Sequence, residues 1–142
     1  MSSLIDLDIN IEEMEEFVPL PEGQYLAHIR SVEVATSEKI PEGFLKVVWQ
    51  IDVDQYPADY DVANNPEGTL LTYARVRLPN SQNRRSVNGF REFLATINVK
   101  AKGSTFDFEK WIGNEALLLL KRDMYQGMPT NQIAAISPKP SI

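Results

Sequence analysis

Apolar and polar residues alternate with a period of two through most of the chain, the pattern of strands with one buried face. From Gln24, the run QYLAHIRSVEVA sets Tyr25, Ala27 and Ile29 against Leu26, His28 and Arg30, which predicts a first strand. A second follows in FLKVVWQIDVD, where Leu45, Val47, Trp49, Ile51 and Val53 share a face rich in β-branched and aromatic residues. The third is TLLTYARVRLP. Here Leu70, Thr72, Ala74, Val76 and Leu78 form the expected core face, and Leu71, Tyr73, Arg75 and Arg77 the outward one. After PNSQNRRS the period changes. Val87, Phe90, Phe93, Leu94 and Ile97 recur three and four apart, which predicts a helix of about three turns despite Gly89. EALLLLKRDM and TNQIAAIS predict two further strands joined by a turn at YQGMP.

Proline and glycine punctuate this series. PLPEG, KIPEG and the close of the polar loop DQYPADYDVANNPEG each end in Pro-Glu-Gly immediately before a strand. The resulting order is strand, strand, strand, helix, strand, strand. The expected class is therefore mainly β: a five-stranded, OB-fold-like Greek-key barrel with one helix between strands three and four. An open α+β sheet with a covering helix is the alternative. Residues 1–20 read as an acidic N-terminal arm with a short helix around Ile11 to Phe17, residues 21–138 as the OB-fold domain, and residues 139–142 as a tail.

Composition narrows the function classes. A chain of 142 residues is one domain's worth and needs no disulfide or structural metal for stability. No apolar run approaches the roughly 20 residues of a membrane span. The acidic start lacks the basic region and cleavage site of a signal peptide, so a soluble intracellular protein is expected, with no membrane partner. Zero cysteines exclude a disulfide framework, a thiolate metal site and a cysteine nucleophile.

The formal net charge of −6 is unevenly spread. Asp6, Asp8, Glu12, Glu13, Glu15 and Glu16 stand in the first 20 residues without a base, which accounts for the whole excess. Between residues 72 and 102, Arg75, Arg77, Arg84, Arg85, Arg91, Lys100 and Lys102 face Glu92 alone. An acidic arm beside a neutral body with one basic stripe suggests a polyanion site, with the arm as an internal competitor.

Catalytic patterns are missing. His28 is the only histidine and lies mid-strand. The Pro-Glu-Gly segments are turns and not phosphate loops. Asp52, Asp54, Asp59 and Asp61 lack the glycine and terminal glutamate of a calcium loop. The expectation is a protein that is not an enzyme and uses no metal or cofactor.

Binding has better support. Tyr73, Arg75 and Arg77 recur at two-residue spacing, about 6–7 Å apart along a strand. Tyrosine offers a stacking surface to unpaired bases, and arginine contacts phosphates or stacks itself. Phe44 and Lys46 on the second strand are expected to join them on the face formed by strands two and three, the usual oligonucleotide platform of OB-folds. Arg84 and Arg85 extend the platform from the loop before the helix, and Lys121, Arg122 and Tyr125 from the hairpin of strands four and five.

The segments PEGQYLAHIRSVE, GFLKVVWQIDV, FREFLATINV, WIGNEALLLL and QGMPTNQIAAISP resemble small phage-encoded single-stranded DNA-binding proteins over about residues 19 to 138. The resemblance implies an OB-fold, action in phage DNA replication or recombination in the cytoplasm of the infected host cell, and homo-oligomer formation in some members. Bacterial single-stranded DNA-binding proteins end in an acidic tail that recruits replication partners. This chain ends PKPSI and carries its acids at the N-terminus, where the expectation is that they contact its own DNA site or a partner protein. The rival class is a virion module, a decoration or tail component built on the same barrel. The charge map makes a prediction: deleting residues 1–18 tightens binding to single-stranded DNA, read by titration of a labelled oligonucleotide. Unchanged affinity would remove the arm as a competitor.

Overall fold

The computed structural model describes residues 3–140; the first two residues of the arm and the last two of the tail lie outside the described residues. Five strands form within them: β1 (Gly23–Ala35), β2 (Phe44–Ile51), β3 (Thr69–Arg77), β4 (Glu115–Tyr125) and β5 (Met128–Pro138). They make one antiparallel sheet in the order β3-β2-β1-β4-β5. The single α-helix among the described residues, α1 (Arg84–Thr96), lies between β3 and β4 as expected. The mainly β class therefore holds. The sheet does not close, because β3 and β5 are its edges and no ladder joins them.

β1 holds the two halves of the sheet together. Its first part, Gly23 to His28, pairs with β4, and its second, His28 to Ala35, pairs with β2. Where the partners change, Arg30 is an extra residue: Ile29 faces Trp49 and Ser31 already faces Val48. Similar shifts occur in β3, between Tyr73 and Val76, and in β5, at Ala134. Each extra residue bends its strand and raises the local twist. Three bulges in five strands curl the sheet around one core and bring its edges towards each other.

The core follows the alternation. Tyr25, Ala27 and Ile29 of β1, Leu45, Val47, Trp49 and Ile51 of β2, and Ala116, Leu118 and Leu120 of β4 point inward. The helix covers one opening with Phe90, Phe93 and Leu94, beside Ile97 and Trp111, and the rings of Phe90, Phe93, Phe106 and Phe108 surround Trp111. The Trp49 indole N–H is buried without an acceptor, a cost of about 1–3 kcal/mol that the packing of its ring must exceed.

Local signals set the ends of the elements. The Asn83 side chain accepts from the N–H groups of Arg85 and Ser86 and starts α1 three residues before the apolar period begins. Asn98 in the left-handed region (φ 61°) ends it, with Val99 N–H donating to Leu94 O at 2.8 Å and Asn98 N–H to Ala95 O at 3.2 Å. Gln126 and Gly127, both at positive φ, make the two-residue turn between β4 and β5. No described helix is long and apolar enough to cross a membrane.

Two expectations change. The segment from 52 to 68 is not simply a solvated loop. Its two short 3-10 turns put Tyr60 into the core and Tyr56 against it, with ring centroids 5.2 Å apart. The domain also begins before residue 21, since Leu20, expected in the arm, is completely buried. Replacing it tests this boundary: Leu20→Ala should cost about 2–5 kcal/mol in urea unfolding. The exposed Leu70→Ala on β3 should stay within about 0.5 kcal/mol. Equal effects would contradict the boundary.

Candidate nucleic-acid interface

β3 is where the observed and expected faces part. Pairing places Thr69 opposite Ile51, Leu71 opposite Trp49 and Tyr73 opposite Val47, so these three share the inward face of β2. Leu70, Thr72 and Ala74, expected in the core, are exposed. The bulge then reverses the strand, and Val76, opposite Leu45, is buried as expected. The expected split is correct only beyond the bulge, because an unpaired residue shifts a period of two by one step.

The bulge gathers side chains at the open edge. Tyr73, Arg75 and Arg77 from β3, Arg85 from α1, and Phe93 and Ile136 behind them line a cleft of about 620 Å³ between β3, α1 and β5. Asn83, Ser86, Gly89, Glu92 and Thr96 complete the helix side. The Arg75 guanidinium lies 5.6 Å from the centre of the Tyr73 ring, a cation–π contact. Arg75 also reaches across the open seam. With the Gln132 amide oriented to suit both neighbours, it accepts from Arg75 at 3.3 Å and donates to Asp123 at 3.1 Å. A side-chain bridge thus stands where no backbone ladder forms.

The electrostatics of this cleft are one-sided. Among the described residues, Arg75, Arg77, Arg84 and Arg85 make no ion pair with a carboxylate, although Glu92 lines the same space. Arg84 and Arg85 are the first two residues of α1 and not part of a loop, and no acid occupies that first turn. Cations at a helix N-terminus oppose its dipole, so this arrangement favours a bound anion over stability of the empty helix.

The other expected residues lie elsewhere. Phe44 and Lys46 belong to the outward face of β2, across the sheet from Tyr73, so these three do not make a single platform. Arg77 pairs with Phe44 and lies at the rim between that face and the cleft. Lys46 is 3.7 Å from Glu33 on β1. Tyr125 is exposed at the hairpin tip beside Met124 and Met128, and Lys121 is exposed lower on β4.

Arg122 has a structural partner. It donates to Pro19 O (3.0 Å) and Leu20 O (3.2 Å), and the Asn131 amide brackets Leu20 from both sides at 2.8 and 2.9 Å. Tyr25 donates to Pro21 O, Tyr60 to Val18 O, and Val18 N–H donates to Asn64. These bonds clamp residues 18–21, and residues 3–17 before them are exposed. The aspartates of the 52–68 segment have local roles: Asp61 caps a 3-10 turn, and Asp52 accepts from Gln50 and lies 3.6 Å from His28.

Phe93 and Ile136 in the cleft, and Gln132 as the partner of Arg75, were not expected from the sequence. Phe93 carries an ordinary core signal, and the other two carry none, since their position depends on how far the sheet curls. In comparisons with known proteins, the chain matches no protein-family model and no curated sequence.

The clamp leads to a pH prediction. Burial holds the phenols of Tyr25 and Tyr60 above the ordinary tyrosine value; at Tyr25 it outweighs the lowering by Arg122. A raised folded-state value gives stability that is complete below about pH 10 and is lost as pH rises through it. Urea stability should therefore decline in that alkaline range. The double variant Tyr25→Phe with Tyr60→Phe should flatten the decline and lose about 1 kcal/mol per missing hydrogen bond at neutral pH. An unchanged alkaline profile in the variant would contradict the assignment.

Proposed function

We propose that the protein is a non-catalytic, sequence-tolerant binder of single-stranded DNA, and that the strand runs through the cleft between β3 and α1. One observation carries the reading: Arg75, Arg77 and Arg85 line one open cleft together with Tyr73, and none of the three is ion-paired with a carboxylate among the described residues. Phosphates at the rim would meet the guanidinium groups. A base would stack on the part of the Tyr73 ring that Arg75 leaves open, or on the Arg75 plane itself. Arg84 lies one residue from Arg85 in the first turn of α1, and the bridge from Arg75 through Gln132 to Asp123 links the cleft to the hairpin that bears Lys121 and Tyr125. A groove that tracks the backbone with cations and offers an aromatic face suits unpaired strands of any sequence.

An OB-fold is the architecture this reading favours. The support is the strand order, the long β1 shared by both halves of the sheet, the helix between β3 and β4, and the approach of β3 to β5. Replication or recombination of phage DNA in the host cytoplasm is the setting we assign to the activity, on the sequence resemblance alone. The particle-component reading is favoured by a different observation, the exposed apolar residues of the arm.

The test is fluorescence anisotropy of labelled oligo-dT, since both tryptophans are buried and poorly placed to report. If about four phosphates are neutralised, log affinity should fall against log salt with a slope near −3. Arg75→Ala with Arg85→Ala should reduce that slope to about −1.5. Arg122→Ala should lower stability and leave the slope unchanged. No binding at low salt would refute the proposal.

A further inference from the structure

Eight of the fifteen large hydrophobics exposed among the described residues lie between Leu4 and Val18, so exposed apolar side chains are concentrated in the arm. Its sequence is not that of a solvated tail. In IDLDINI, Ile5, Leu7, Ile9 and Ile11 alternate with Asp6, Asp8 and Asn10, the pattern of a strand with one buried face. Yet this segment pairs with no strand, and the four apolar side chains are 47% to 82% exposed. The root is held firmly: Leu20 is buried, and the carbonyls of residues 18–21 are bonded to Tyr60, Arg122, Asn131 and Tyr25.

We infer that the arm of one copy docks in the β3–α1 cleft of a second copy, so that the chain assembles by exchange of arms. Chemistry and size both fit. The arm carries six acids and no base, and the cleft presents Arg75, Arg77 and Arg85 without ion pairs. The cleft floor is apolar, with Tyr73, Val76, Phe93 and Ile136, and the adjoining edge of β3 has no strand beside it. An extended segment laid along that edge turns alternate side chains to opposite sides. Leu7 and Ile9 would go down to the floor while Asp6 and Asp8 meet the arginines at the rim. In a two-fold pair each copy gives an arm and receives one. The fifteen described arm residues 3–17 and the dozen that line the cleft, both contributed by each copy, fall within the roughly 20–30 residues per side of a stable interface. Arm exchange does not require nucleic-acid binding, although both ligands would compete for the same arginines.

The full-length chain without nucleic acid tests this. Sedimentation should show a dimer or a larger closed assembly. Leu7→Asp with Ile9→Asp, at two exposed positions, should raise the dissociation constant by about tenfold or more. Gly89→Leu should do the same from the other side. A Cβ at Gly89 meets nothing within 4 Å and leucine favours helix, so this variant folds while its side chain narrows the cleft. Because the chain has no cysteine, Ile9→Cys with Glu92→Cys provides a clean cross-link on mild oxidation. Cross-linked dimers on a non-reducing gel support exchange. A monomeric full-length chain, a bond formed only within one chain, or an assembly untouched by the arm and Gly89 variants would overturn it.

Discussion

A strand turns alternate side chains to opposite faces, so one unpaired residue reverses every side chain beyond it. The bulge in β3 does this at the point where the aromatic and basic residues lie. Before it, Tyr73 joins Val47 on the inner face; after it, Val76 takes the inner position and Arg77 moves to the rim. Regular pairing would have kept Tyr73, Arg75 and Arg77 on one side of the sheet. The bulge spreads them instead over the floor, crest and rim of a single opening, which α1 then closes from the other side with Arg85. The bulges of β1 and β5 make the same kind of turn and provide the curl that brings the two edges within reach of one side chain.

Arginine serves two ends in this molecule, and hydrogen bonding separates them. Arg122 is engaged with two backbone carbonyls and holds the entry of the chain into the core. Charge-assisted bonds of this kind are among the stronger polar contacts in a protein. Among the described residues, the cleft arginines have only a ring and an amide between them as partners. Like charges held near one another repel, and among the described residues Glu92 is the one carboxylate side chain that lines the cleft, so an anionic ligand would relieve an electrostatic cost. The same reasoning underlies both proposed ligands, a nucleic-acid strand and the acidic arm of a second copy.

Much of the architecture was legible in the sequence because it rests on local rules. Period-two runs in β1 and β2 matched their buried faces, the apolar run EALLLL became β4, the three- and four-residue spacing matched α1, and the glycines of KIPEG and ANNPEG lie at positive φ before β2 and β3. The Asn83 cap and the left-handed Asn98 come from the structure, and the cap places the helix start earlier than the apolar period does. The candidate site was legible in its residues and not in its geometry. Tyr73, Arg75, Arg77 and Arg85 do come together, whereas Phe44 and Lys46 lie across the sheet and Arg122 serves the fold.

The sequence by itself determined the number and order of the elements, the separation of an acidic arm from a basic stripe, and the residue types at the site, because periodicity, turn chemistry and charge are properties of near neighbours. Only the tertiary structure decided which face of β3 is buried, where the arm begins, and whether the sheet closes. Those outcomes depend on register between distant strands and on contacts such as Leu20 with Asn131, more than a hundred residues apart. A one-residue slip in register has no mark in the strand that carries it, yet it changes where every arginine beyond it can reach.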